Sequence, residues 1–248
     1  MQPFMRSSLW LALAISVFVV SVTPAVAQVT FQLGGGGGAR FPISDYSGTT
    51  EDFFAGTKYG LSTGYNIQAK ARVGLVGIIL VGEIDYGMMT NSGTAYSDQG
   101  KVDVSQTLLV FKVGPEYQIS VPASPVTPYL GVNLAMNIVD GETKLQGISG
   151  IPTDTYTLES TSRLGVGFNG GVLFSLGAMK LDVGLEYSLM NPFTKEFTSV
   201  SGAGREDSYR YLNDEKDPAY ATGDVDHFIG TSRSINSLLL TVSVLFGL

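Results

Sequence analysis

The 248 residues carry 15 Lys and Arg against 22 Asp and Glu, a formal charge of −7, with no cysteine, a single histidine and 31 glycines. Without cysteine there is no disulfide framework, no thiolate metal site and no lipid-modified N-terminal cysteine. The acidic balance, with no basic stripe interleaved with aromatic residues, argues against nucleic acid as a partner.

Arg6 precedes an uncharged apolar run from Leu9 to Val22, followed by Ala25-Val26-Ala27 and then Gln28. The run is shorter than the ~20 apolar residues a spanning helix needs, and its flanks predict a secretory signal peptide over residues 1–27, cleaved after Ala27. Residues 28–248 are then expected to form one domain. The nearest other apolar stretch, Leu75 to Val81, is too short to cross as a helix. Any passage through a membrane must therefore use strands.

The two-residue period of a strand recurs from here to the end of the chain. Val29, Phe31, Leu33, Ala39 and Phe41 oppose Thr30, Gln32 and Arg40, with the run Gly34 to Gly38 between them. The glycines suit a tightly curved wall and lack the Gly-Lys-Ser/Thr of a phosphate loop. A polar connection, Ile43 to Gly56, leads to a second strand from Tyr59 to Ile67, with Gln68 to Arg72 read as a short turn. The third strand sets Val76, Ile78, Leu80, Ile84, Tyr86 and Met88 against Glu83 and Asp85. After a polar connection from Asn91 to Asp103, the fourth sets Leu109, Phe111, Val113 and Tyr117 against Val110, Lys112 and Glu116. Strand five, Pro128 to Val139, hides Asn133 and Asn137 on its second face. Asp140 to Glu159 then connects to strand six, where Leu164, Val166 and Phe168 oppose Arg163, Gly165 and Asn169. Strand seven opposes Leu181, Val183, Leu185 and Tyr187 to Asp182 and Glu186, and the longest connection, Asn191 to Ser234, leads into the final strand, Asn236 to Leu248.

Connections after the odd strands read as long and polar, those after the even strands as short. Strands of about ten to thirteen residues, tilted ~45°, cross the ~25 Å apolar band of an outer membrane. The final strand leaves an exposed hydrogen-bonding edge unless the first strand pairs with it, antiparallel through Val29 to Ala39, and closes a barrel. The expectation is an all-β, eight-stranded antiparallel up-and-down transmembrane β-barrel. Ten strands is the lesser alternative, because Tyr209 to Leu212 in the last connection alternates briefly. A soluble lipocalin-like barrel fits less well: its polar face would be rich in solvated lysine and glutamate, whereas this one is mostly Gly, Ser, Asn and Thr. Tyr59, Tyr65, Tyr117, Phe174, Tyr187 and Phe246 are candidates for interfacial girdles.

Several segments resemble the bacterial outer-membrane β-barrel family that includes the OmpA transmembrane domain and OmpX-type proteins. They are the glycine run of the first strand, Gly82-Glu83-Ile84-Asp85-Tyr86-Gly87, Pro128 to Val132, Gly165 to Gly171 and Leu185-Glu186-Tyr187. The likeness covers nearly all of residues 28–248 as a pattern rather than as invariant residues. It implies an outer-membrane location, contact with membrane lipid and lipopolysaccharide, recognition by the barrel-assembly machinery through Phe246 and Leu248, and a monomer. No peptidoglycan-binding domain follows the barrel, and the last residue is Leu248 where the family often has phenylalanine.

With the polar face inward, Arg40, Glu83, Asp85, Lys112, Glu116, Arg163, Asp182 and Glu186 share one lumen, three cations with five anions. An eight-stranded barrel has room for little more than side chains, so Lys112, Arg163 and Arg40 are expected to bridge the carboxylates and plug it. An ion or proton path along the carboxylates, making a small passive pore, is the alternative. His227, with Asp224, Asp226 and Ser232 nearby, reads as a solvated loop histidine, and no catalytic residue is expected. The run Asp214-Glu215-Lys216-Asp217 lacks the loop pattern that wraps calcium, so neither metal nor cofactor is expected. Partner recognition, as in adhesion, would fall to the loop tips, including Tyr209, Tyr211, Tyr220 and Phe228.

Overall fold

A computed structural model describes residues 30–75, 78–96, 99–199 and 204–247. The predicted signal peptide, Val29 and Leu248 lie outside the described residues.

Eight strands form one closed antiparallel ring in sequence order. They are β1 (Thr30–Ile43), β2 (Gly64–Leu75), β3 (Ile78–Gly93), β4 (Lys101–Gln118), β5 (Val126–Gln146), β6 (Asp154–Leu176), β7 (Met179–Leu189) and β8 (Asn236–Gly247). β1 pairs with β8 from Gln32↔Gly247 to Ile43↔Asn236, which leaves the ring no free edge. The glycine run sits on this seam. A Cβ at Gly34, Gly36 or Gly38 would overlap the backbone carbonyls of Val244, Val242 or Leu240, so the close approach of β1 to β8 is possible only without side chains there.

Alternation sorts each strand between two environments. Leu33, Ile67, Leu80, Ile84, Val113, Leu130, Leu134, Leu164, Leu185, Leu240 and Val242 are all exposed, the expected surface of a wall that faces lipid rather than water. Tyr65, Tyr117, Phe174, Tyr187 and Phe246 share that outer face, but Tyr59 does not. It lies before β2 with 3% of its surface exposed, packed edge-on against Tyr46 among the loops, so it is no girdle residue.

Several boundaries differ from the expectation, among them the start of β2, which is Gly64 rather than Tyr59. The segment Gln68 to Arg72 is not a turn but the middle of β2, paired with β3 through Lys70↔Glu83 and Arg72↔Val81. β5 and β6 extend to 21 and 23 residues, longer than the bilayer requires, because much of the supposed connection Asp140 to Glu159 is strand, as are both ends of Asn91 to Asp103. In these extensions the pattern inverts. Val102, Val104, Leu108, Leu145, Tyr156 and Leu158 are buried inside the wall, while Lys101 and Glu142 stand outside it. Outside the membrane the wall faces water, so its apolar residues turn inward.

What they turn toward is a core made of the connections themselves. The first loop contributes Tyr46, Phe53, Phe54, Tyr59 and Leu61, and the last loop contributes Tyr209, Leu212 and Ile235 to the same cluster. The first loop holds a short helix, α1 (Thr50–Phe54), closed by a capping box in which the Asp52 amide donates to Thr49 Oγ1 (3.1 Å) and the Thr49 amide to Asp52 Oδ2 (3.0 Å). The Thr49 backbone bond holds the Asp52 carboxyl below its usual range. Among its described residues the last loop contains no spanning hairpin. It carries α2 (Asp207–Arg210), which sets Tyr209 between Phe53 and Tyr156, with ring centroids 5.8 and 5.3 Å away. Burial pushes the Tyr209 hydroxyl up to about 12, against the opposing pull of Arg205, so the ring stays neutral in its core.

Candidate functional site

Below the loop core the barrel interior is charged. Neighbouring strands place Lys70, Glu83 and Lys112 in one cross-wall row. Lys112 Nζ lies 2.8 Å from Glu83 and 3.8 Å from Asp85 on β3, and reaches across the lumen to Glu186 on β7 at 2.9 Å. Above it Arg40 binds Asp85 at 2.8 Å and donates to Ser237. Below it Lys70 joins Glu83 (3.2 Å) to Asp182 (3.0 Å), and Arg72 joins Asp182 (3.1 Å) to Glu116 (2.9 Å). The result is one continuous ladder from Arg40 to Glu116, four cations with five carboxylates. None of these side chains is more than 9% exposed, and burying a charge without a partner costs several kcal/mol.

Lys70 and Arg72 were not among the expected lumen residues. Their signal is the polar face of β2, Asn66, Gln68, Lys70 and Arg72 at every second position. Tyr129 also belongs to the ladder: its hydroxyl donates to Asp182 (2.8 Å) and its ring lies under Arg72, 4.9 Å from the guanidinium carbon. With Leu173 and Leu245, Tyr129 forms a small apolar seal at the short-turn end. Two cavities of about 20 Å³ interrupt the packing, each large enough for one water. Gln68, Asn133 and Asn169 line them, and the carbonyl oxygens of these side chains accept no hydrogen bond from the described residues.

Arg163 does not join the ladder, contrary to expectation. It sits higher, where the wall meets the last loop, and grips Asp214 with two parallel bonds, Nε to Oδ2 and Nη2 to Oδ1, both 2.9 Å. Glu196 is a second partner at 3.1 Å. Asp214 also accepts from Asn191 Nδ2 (2.8 Å) and the Glu196 amide (2.9 Å). Asn191 in turn takes the Ile235 amide at 2.8 Å, so both ends of the last loop meet at this node. Arg233 adds a third strut, its guanidinium 4.3 Å from the centre of the Tyr59 ring and hydrogen-bonded to the Asn213 carbonyl.

The acidic run diverges rather than converging on a cation. Asp214 faces Arg163, Glu215 accepts from Ser232, and Asp217 lies 3.0 Å from His227 Nδ1. His227 is thus a paired residue rather than a freely solvated one. The Asp217 hydrogen bond raises its pKa above the usual imidazole value.

A closed ring of eight strands, lipid-facing outside and polar within, limits the comparison to outer-membrane barrels. A family model described as the outer membrane protein beta-barrel domain matches residues 11–214. The chain belongs to this family. As an outer membrane β-barrel protein it resides in the outer membrane, its spans made of strands. The chain is similar to the crystal structure of Neisserial surface protein A (16% identity, TM-score 0.48), which matches 88% of this chain and 96% of that one. It is also similar to Ail, the attachment invasion locus protein of Yersinia pestis, in complex with the heparin analogue sucrose octasulfate (12% identity, TM-score 0.41, covering 88% and 99%). A major outer membrane protein of Thermus thermophilus (14% identity, TM-score 0.47) matches over the same shares, 88% and 99%. No curated protein matches the chain.

Proposed function

We propose that this outer membrane β-barrel is a plugged, non-conducting scaffold that presents its outward loops for surface interaction, as in adhesion. The bridge from Lys112 to Glu83 on one side of the lumen and Glu186 on the other carries the reading, since it spans the interior with its charges satisfied. A conducting path would have to break buried ion pairs whose separation leaves uncompensated charge. Above the ladder, the node at Asp214 and the aromatic packing of Tyr209 hold the first and last loops as a rigid cap. Rigid scaffolds that carry exposed loops commonly place recognition on those loops.

Two measurements test the two parts. In planar bilayers and liposome-swelling assays the protein should give no stable open level. A stable conductance that disappears in Glu83→Gln or Lys112→Met would replace the plug with a small passive pore. For the surface role, cells displaying the barrel should attach to host or envelope ligands more than cells lacking it, and deleting outward-loop segments should remove the difference.

A further inference from the structure

Four connections meet in a cleft of about 490 Å³ at the loop end of the barrel. The size falls within the ~300–1,000 Å³ of small binding sites. The first loop supplies Glu51 and Phe54, the β3–β4 connection Tyr96, the β5–β6 connection Ile151, and the last loop Arg205, residues 223–226 and Phe228. Its walls are apolar: Phe54 and Tyr96 stack edge to face at 4.9 Å, and Val225 is 69% exposed beside them.

Its charge is one-sided. Arg205, the cation in the lining, is consumed internally. Its guanidinium lies between the rings of Phe54 and Phe228, 4.0 and 4.1 Å from their centres, and donates to Tyr209 Oη, the Val225 carbonyl and the Phe54 carbonyl. Against it stand three carboxylates, Glu51, Asp224 and Asp226. Asp224 is engaged in a local turn, accepting the amides of Asp226 and His227. Glu51 has only a 3.4 Å contact from the Thr94 hydroxyl, no lysine or arginine forms an ion pair with Glu51 or Asp226 among the described residues, and the neighbouring His227 is held by Asp217. Elsewhere in the molecule every buried carboxylate of the lumen is matched by a cation. Here an apolar floor is left with an acidic rim.

We propose that this cleft binds a lysine or arginine side chain flanked by apolar residues on a partner polypeptide, the apolar neighbours covering Tyr96 and Val225 and the cation meeting Glu51 and Asp226. The assignment rests on the surface role proposed above and gives that role its ligand chemistry. A polyanionic ligand is disfavoured by the same rim.

The test is calorimetric titration of the full chain in phosphatidylcholine nanodiscs, with empty discs subtracted, using three capped tripeptides. They are Phe-Arg-Phe, its charge-reversed form Phe-Glu-Phe, and Gly-Arg-Gly, which keeps the charge without the apolar body. Only Phe-Arg-Phe should bind. The double variant Glu51→Gln, Asp226→Asn should weaken it about fivefold, the scale of two partly exposed ion pairs. Raising the salt should weaken it as well. Equal binding of Phe-Glu-Phe, indifference to the double variant, or no binding of Phe-Arg-Phe each overturns the proposal. Cell attachment keeps the two readings apart: attachment that persists in the double variant sinks the cleft and leaves the surface role, whereas wild-type cells that attach no better than cells lacking the barrel sink the surface role itself.

Discussion

Arg163 on the barrel wall and Asp214, 51 residues later in the last loop, meet in a two-pronged fork with side chains 2% and 0% exposed. This contact joins the part of the molecule that spans the membrane to the part that caps it. Removing Asp214 leaves the buried Arg163 with only the exposed Glu196 as counter-charge, at a cost of up to about 3–5 kcal/mol. Asp214→Asn should therefore release the last loop while the barrel stays closed. Trypsin should cut at Lys216 much faster in the variant, while heat-modifiable gel migration stays normal. Replacing both Arg163 and Asp214 with leucine should cost less than either single change. Equal trypsin resistance of wild type and Asp214→Asn would remove the fork from its structural role.

The β1–β8 seam gives a second prediction. Gly36→Val would drive a side chain into the Val242 carbonyl and the Ser243 backbone, so closure should fail and the chain should migrate as unfolded without heating. Gly82→Ala on β3 is the matched control, since a Cβ there meets nothing within 4 Å. Normal folding of both variants would mean that β1 can move away from β8.

The ladder predicts a non-additive pattern of stabilities. Lys112→Met leaves Glu186 without a cation and Glu83 with Lys70 alone, and should destabilise by about 3–5 kcal/mol in urea unfolding from lipid vesicles. Adding Glu83→Gln and Glu186→Gln to that variant should restore part of the loss, because the repulsion and the unpaired charge go together. Independent, additive effects would show that the lumen groups are solvated separately.

His227 offers a pH test with a single probe, since the chain has no other histidine. Its folded pKa is raised by the Asp217 hydrogen bond. The pairing should therefore contribute fully below the unfolded value of about 6.5 and fade as pH rises through the higher folded value. Imidazole proton shifts followed by NMR should titrate above about 6.5, and Asp217→Asn should bring the midpoint back down. A midpoint at or below that value in the wild type would show the pair to be absent in solution.

Strand number, ring order and closure could be read from period-two alternation because lipid sets a strict rule on one face. The charged interior was only partly legible. Gln68-Ala69-Lys70-Ala71-Arg72 looks like a polar turn until its even positions are traced back to Asn66 as one inward face. The upper halves of β3 to β6 were hidden by the inversion of pattern. Val102 and Val104 occupy the same inward parity as Lys112 and Glu116, so no single hydrophobic face runs through β4. Arg163 had the right face and the wrong height, and height depends on how far the strands outrun the membrane. Its partner Asp214 sits in a long connection whose fold is tertiary, held by contacts that carry no sequence period.

β6 carries one more residue than β5 between the pairs Val139↔Thr161 and Gly141↔Leu158. Two consecutive residues, Glu159 and Ser160, therefore face outward, and inward parity passes from odd positions at Arg163 to even ones at Leu158 and Tyr156. The projecting hairpin is thereby uncoupled from the wall beneath it. Deleting Ser160 would remove the bulge and leave Glu159 opposite Asp140, with Tyr156 still inward toward Tyr209 and no residue in the bilayer disturbed, and a paired insertion above the bulge would lengthen the hairpin with the same facing. Such a joint lets a lineage remodel the outward tip one insertion at a time while the membrane-embedded lattice stays in step.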